Sequence, residues 1–545
     1  MIRQETVARC LNFLIVALVI GSDPVHGQMH HHGEDPHGLV NFPVSCRPLS
    51  QLEFNEAMTL LHHMTYPQAR ALFQRIAVQD SGCAMAYWGI AMTLFQPLWP
   101  TRPGPRELEQ GFEAMTKAKS LNAPTERERL LIAAAGAFFQ EPNSGDYWKR
   151  VHAWAEGMRL TYDRFSEDHE VAAFYALALL ATVPPDQITS PNNARAADIL
   201  LRILKDNPAH PGAMHYLIHA NDVPGRERES LDILRRYEAV APHNPHALHM
   251  PTHIYTRLGN WAEVIRGNIK AADAALEFPA GDQGQFVWDE FPHAIEYLIY
   301  AYLQKGDDDA AAAQLKRLQG TARLEPSFKT AFHLASTKAR YALERKAWNE
   351  AASIVPREPA SVNWDNYPWP EAISWFARGL GYVHTGRATE ARTSLTRLVE
   401  LEDVATKAHE VLFARNIRVL RLELSGFVAG MEGASDSSIV MMTQAVDLEA
   451  STPKHAVTPA PTLPASELLG DLLLEHAKPS EARKAYERSL EVNPLRFNSL
   501  LGAARAARAG ADVQAATTFY RKLIDGSSAA SKREGLQEAR EFLSK

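Results

Sequence analysis

Charge of one sign is what this sequence lacks first. Its 57 Lys and Arg stand against 64 Asp and Glu, a formal net charge of −7. That balance excludes a general electrostatic grip on nucleic acid and a polybasic membrane anchor. The apolar run near the N-terminus, Leu11 to Ile20, is about half of the ~20 residues a transmembrane helix needs. β-Branched alternation is scarce, so sheet has little support. Cysteine occurs three times, and no Cys-x-x-Cys-His run exists for haem attachment. His-Glu-x-x-His is absent, and with it the usual base of a zincin; no Gly-rich phosphate loop is present either. No Ser-His-Asp set stands out by spacing. The composition is otherwise that of a folded chain, 46% hydrophobic and 22% charged. Its 545 residues make three or four ordinary domains or one long repeat array. The residue in excess is histidine, with 22 copies.

Residues 1–27 read as a secretory signal: Arg3 and Arg9, then the apolar run, then Val25-His26-Gly27 as a cleavage region. The alternative is an uncleaved anchor. No Cys directly follows the run, so a lipoprotein is not supported. The expectation is an exported protein, periplasmic or secreted, that leaves the membrane once the signal is cut. Cys10 departs with the signal, leaving Cys46 and Cys83. In an oxidising compartment they form a disulfide around a loop of roughly 38 residues, worth about 4 kcal/mol on a chain-entropy model; two buried thiols are the alternative. Residues 28–50 form an N-terminal tail. Its Met29–His37 stretch is His-rich and polar, and is either a metal-capturing segment or a plain disordered one.

From Leu52 onward apolar residues recur at helical spacing, and loops carry Pro, Gly and Asn. Small residues recur in a comb: Gly379, Gly386 and Ala391 with Trp375; Gly470, Ala477 and Ala482 with Tyr486 and Pro494; Gly306 with Ala311; Tyr66, Ala69 and Phe73 near the start. The pattern resembles the tetratricopeptide repeat (TPR), a helix–turn–helix unit of about 34 residues whose helices approach closely at the small positions. The resemblance implies an all-α solenoid, a right-handed superhelix with insertions. We divide it into a solenoid over 51–450, a Pro-rich joint over 451–464 and C-terminal TPR units over 465–545. Pro97–Arg106 and Phe278–Glu290 interrupt the array with aromatic loops that either cover a groove or act as spacers. Ser45-Cys46, Leu60-Leu61-His62 and the Cys83–Gly89 run are similar to exported bacterial TPR proteins of unsettled activity, which supports fold and export only.

Two segments carry His-x-x-x-His: His215 with His219, and His249 with His253. Residues i and i+4 share a helix face, so each pair aims two imidazoles at one place. Both pairs are 34 residues apart, one repeat length. Counting from Gly259 places His249 and His253 at repeat positions that line the concave groove of TPR proteins, and the shift places His215 and His219 likewise. His293 and Glu296 join as further ligands. Asp222, Tyr300, His246 and His62 are expected behind them. Pro251 either kinks the helix or starts a new one, which would weaken the second pairing.

Neutral imidazoles suit copper or zinc, one or two ions. The two pairs resemble the helical ligation of dicopper sites in tyrosinases and hemocyanins in ligand pattern alone, with the third His per copper not assured. The expectation is a transition-metal protein, either a metal-dependent oxidase or hydrolase or a metal handler. The alternative is a metal-free scaffold whose concave groove binds a peptide or protein partner.

Overall fold

The structure is a computed structural model that describes residue 38 and residues 40–99, 102–140, 146–184, 186–281 and 283–544. The signal and the Met29–His37 stretch lie outside the described residues. Pro36–Lys545 forms one compact unit.

The described chain is all-α, and helices successive in sequence pack side by side. Their starts follow local chemistry. Asp168 accepts hydrogen bonds from the N–H groups of Glu170 and Val171 and opens His169–Ala181, satisfying donors that a helix start otherwise leaves unpaired. His210 and Asn244 cap in the same way, each followed by a Pro at the first helical position, and so open Pro211–Asn221 and Pro245–His249. The small residues mark close packing: a Cβ on Gly470 would lie 2.7 Å from the Tyr486 ring. The only strand pair among the described residues joins Pro279–Ala280 to Phe286–Val287 inside the Phe278–Glu290 insertion.

Three boundaries differ from the sequence reading. Packing against the array already includes Val40 and Phe42, ahead of residue 51. Phe42 is fully buried, and its N–H donates to Asn55 Oδ1 at 3.1 Å. Cys46 and Cys83 are joined by a disulfide, with Cα atoms 4.7 Å apart. The 451–464 segment is a strap rather than a joint. The Arg340 guanidinium donates to the carbonyls of Pro461, Ala460 and Thr462 and to Thr458 Oγ1, and Tyr297 Oη donates to Thr458 O at 3.4 Å. The strap's prolines supply no N–H groups and keep the segment out of helix, so its buried carbonyls need donors from elsewhere, and Arg340 and Tyr297 provide them.

Residues 465–544 do not form a separate set either. Buried Arg496 bridges Glu344 and Glu467, with contacts of 2.7–2.9 Å to each. Trp261 Nε1 donates to Leu495 O at 3.2 Å, and Ser528 N donates to Lys305 O at 2.8 Å. The last helices thus close against the turns of the middle ones. Gly259 makes the approach possible: its φ is +67°, and a Cβ there would lie 2.7 Å from Pro494 O.

Candidate metal centre

The helix that carries the second His pair is interrupted where the sequence said it could be. Pro245–His249 and Pro251–Arg257 are separate helices, but Met250 between them keeps helical angles (φ −52°, ψ −42°). Pro251 has no N–H to give, and Thr252 Oγ1 donates instead to His249 O at 2.6 Å. Direction is preserved across the break, so His249 and His253 still meet, with their Nε2 atoms 2.9 Å apart. On Pro211–Asn221, His215 and His219 meet in the same manner at 3.1 Å.

Each pair gains a third ring. His246 joins His215 and His219, and His293 joins His249 and His253. In each trio one nitrogen per residue lies within 4.8 Å of the others. The trios are adjacent, with His246 and His249 ring centroids 6.3 Å apart. His246, expected behind the ligands, stands among them.

The outer nitrogens decide what the inner ones can do. Asn268 Nδ2 donates to Val264 O at 2.8 Å, so its Oδ1 faces His249 Nδ1 at 2.7 Å as an acceptor. Asp222 Oδ2 lies 3.0 Å from His253 Nδ1. Burial would raise the Asp222 pKa, but Lys454, Arg257 and His253 outweigh it and hold the carboxyl well below its ordinary range. Asp222 is therefore an ionised acceptor. Both Nδ1 atoms carry protons, and neutral rings then present bare lone pairs at Nε2. Burial lowers the pKa of both rings, with lesser contributions from neighbouring charges. Two lone pairs thus face each other at a distance where one partner should be a donor. A cation between them resolves the conflict, and burial disfavours a proton in that role.

The same fixing recurs around the other rings. His215 Nδ1 donates to the backbone carbonyl of His62 at 2.6 Å, leaving Nε2 bare. His246 Nδ1 lies 3.1 Å from Glu290 Oε2, off the line of a hydrogen bond, and its Nε2 is buried without a hydrogen-bond partner among the described residues. Lys329, with His246, holds Glu290 ionised against its burial. His293 Nδ1 lies 3.0 Å from His333 Nε2, and His333 Nδ1 lies 2.5 Å from Glu296 Oε2. Glu296 also accepts from Ser336 Oγ at 2.6 Å and Arg340 Nε at 2.8 Å. Burial opposes its ionisation, but the His333 hydrogen bond and Arg340 prevail and lower its pKa. A His333 ring that donates from Nδ1 to Glu296 can offer its Nε2 as acceptor to His293 Nδ1, which would leave His293 Nε2 bare. His219, like His246, has no outer nitrogen fixed by a hydrogen bond among the described residues; burial lowers the His219 pKa to about 3.

This geometry corrects two assignments. Glu296 is not a ligand: its oxygens are taken by His333, Ser336 and Arg340, and it acts on His293 through His333. Tyr300 lies against Trp261, with ring centroids 5.5 Å apart, away from the trios. Tyr297 stands there instead, its Oη 3.5 Å from His253 Nε2 and its ring centroid 4.7 Å from that of His249. His62 contributes its carbonyl, while its ring binds Tyr216 Oη at 3.0 Å and Glu170 at 2.7 Å. A Cβ on Gly212 would lie 2.3 Å from that ring, so the approach requires glycine. Asn268, Glu290, His333 and Tyr297 were not singled out from the sequence.

The His62–Glu170–His210 cluster shows the contrast. His210 Nδ1 accepts from the Ala213 N–H, so its Nε2 holds the proton and faces Glu170 Oε1 at 3.4 Å. His62 donates to Glu170 and accepts from Tyr216. There a carboxylate, Glu170, faces both rings, where the two trios bring imidazoles alone together. The fourth cluster, Cys46 and Cys83 near Asp80, is closed by the disulfide.

The aromatic insertions cover the trios. Trp99 stacks on Trp288 with centroids 6.0 Å apart and planes 4° apart, 5.2 Å from the His246 ring. Lys329 Nζ sits 4.1 Å from the Trp99 centroid. On the other side a cavity of about 380 Å³ reaches His219 and Asp222 and runs along the strap.

Fold and site together define an all-α helix–turn–helix repeat protein with a buried histidine centre. Residues 468–531 match the tetratricopeptide repeat family model. No curated protein matches the chain. Among solved structures, the human IFIT1 dimer with PPP-AAAA is similar at 13% identity, covering 81% of this chain and 90% of that one, with a TM-score of 0.39. The IFIT1 monomeric mutant with Gppp-AAAA is 14% identical over 88% of this chain and 97% of that one (TM-score 0.36). The APC/C hetero-tetramer Cut9–Hcn1 is 12% identical over 91% and 90% (TM-score 0.32). At that level of superposition, nothing those proteins bind transfers to this chain.

Proposed function

We propose that the chain binds a pair of transition-metal ions, one at His215, His219 and His246 and one at His249, His253 and His293, and that the pair is copper. The observation that carries this reading is the 2.9 Å approach of two Nε2 atoms whose rings hold their protons at Nδ1, in hydrogen bonds to Asn268 and Asp222. Three neutral imidazoles per ion, with no thiolate and no carboxylate ligand, suit copper, and zinc next. Bound copper would supply one-electron chemistry at two adjacent centres. The chain's own residues prepare the ligands: Asn268, Asp222, the His62 carbonyl and His333 fix ring orientation and tautomer, as outer partners of metal-bound His do elsewhere, and Glu290 sets a negative charge beside His246. Trp99, Trp288 and the strap exclude bulk water, and the cavity leaves one approach beside His219.

The test is metal analysis of untagged full-length protein in which His30, His31, His32 and His37 are replaced by Ser, so that the tail cannot contribute. About two equivalents of copper are expected, and His249→Ala with His253→Ala should remove one. Stoichiometric zinc would keep the site and change the metal; no metal at either trio would overturn the reading.

Export is part of the same proposal. It is supported by the charge and apolar pattern of residues 1–27 and by the Cys46–Cys83 bond; N-terminal sequencing of protein recovered outside the cytoplasm tests it. The broader reading, a helical-repeat scaffold for partners, concerns the outer faces of the array, because the strap lies in the groove beside the His centre.

A further inference from the structure

The cavity beside His219 has a chemistry of its own. Its walls are largely apolar, with Leu180, Val183, Phe332, Trp369, Val419 and Leu420 among them. Three cations reach its lining, and each faces a carboxylate. Arg257 and Lys454 hold Asp222, the latter at 3.3 Å, and Arg488 faces Asp447 at 3.6 Å. Two acids also line it, Glu423 and Glu449. Glu423 is fully buried, and neither of its carboxyl oxygens has a hydrogen-bond partner among the described residues. Among the described residues Glu449 accepts a hydrogen bond from the Ala465 N–H alone, at 3.2 and 3.3 Å. Burial, with Glu449 acting on Glu423 as a like charge, pushes the pKa of Glu423 far up, and burial raises that of Glu449 to about 7.

A buried carboxyl without a partner is rare and costly. From the cavity, its apolar walls and these two acids we propose that the chain binds an organic cation here, an apolar body ending in a protonated amine, with the ammonium seated on Glu423 and Glu449. An ammonium brings both the charge and the donors that these oxygens lack. The apolar walls accept the rest of the molecule. An organic anion would meet two acids while every cation in the lining is engaged. At neutral pH the arriving ammonium makes the acid pair give up a proton to solvent. Binding at this end does not need a metal; only its meaning as the substrate pocket of the centre rests on the function proposed above.

The test is isothermal titration of the full-length protein, as isolated and after chelation, with phenethylamine, 2-phenylethanol and 3-phenylpropionate. The amine should bind at least about tenfold more tightly than the alcohol, the acid should not bind, and the amine's heat should change with buffer as about one proton leaves. Glu423→Gln should lose that preference and the buffer dependence while keeping its thermal midpoint and metal content; Glu449→Gln serves if that variant does not fold. Equal binding of amine and alcohol, or amine binding unchanged in both variants, overturns the proposal. Amine binding that survives in protein without metal supports the proposal even if the metal reading fails, and metal without amine binding overturns this proposal alone.

Discussion

His249 and His253 turn their Nε2 atoms toward each other across 2.9 Å, although hydrogen bonds to Asn268 and Asp222 keep the ring protons at Nδ1. Such a pair repels unless something positive sits between. The residues that enforce the arrangement are as informative as the rings themselves.

Asn268 touches no ion in the proposed centre and acts only through His249. Asn268→Leu should leave both ions bound at saturation but weaken the second by about 10–100-fold in a chelator competition. Unchanged affinity would mean that the His249 tautomer does not matter.

Arg340 ties the strap to Glu296. Removing its charge in Arg340→Met leaves a buried carboxylate short of its partner and several strap carbonyls unpaired, a loss of about 3–5 kcal/mol. Trypsin should then cut after Lys454 far faster than in the parent chain, with mass spectrometry locating the cut; equal rates would contradict the strap's anchoring.

His455 is half-buried, with the Trp369 and Phe413 rings 5.7 and 5.9 Å away, and loss of solvent around it lowers its pKa to about 3. Unfolded, the ring titrates near 6.5, so between these values the unfolded chain holds more protons and stability falls as pH falls. At pH 5 this group alone costs about 2 kcal/mol relative to pH 7. His455→Asn keeps an acceptor for the Val457 N–H, which donates to His455 Nδ1 at 3.1 Å, and should lessen the fall of the denaturation midpoint between pH 6.5 and 4, other histidines of lowered pKa supplying the rest. An unchanged acid slope would show that the ring is not held neutral.

The Cys46–Cys83 bond fastens the first helices to the extended start of the fold. Reduction, or Cys46→Ser with Cys83→Ser, should cost about 2–4 kcal/mol in denaturant unfolding and leave metal content unchanged. Loss of metal with the thiols would tie the two features together, contrary to the geometry.

Much of this site was legible because helical spacing and repeat length are short-range rules. His215, His219, His249 and His253 follow from i, i+4 and a 34-residue shift alone. The third ring of each trio was harder to place. The position of His246 depends on how the chain passes Pro251, and that of His293 on how the next helix is rotated. The same i, i+4 rule applied to His293 points to Tyr297 rather than Tyr300. His333 gave no signal, because it reaches His293 from a helix 40 residues away. The strap reads as a joint in sequence, since its prolines announce only that it is not helix. Its burial is decided by Arg340, more than 110 residues earlier in the chain.

The most direct test is anomalous diffraction from crystals of the protein equilibrated with copper, recorded on both sides of the copper edge. The account predicts two anomalous peaks, one within reach of His215, His219 and His246 and the other within reach of His249, His253 and His293. Ordered rings with no anomalous density between them, at full occupancy of the surrounding protein, would contradict it.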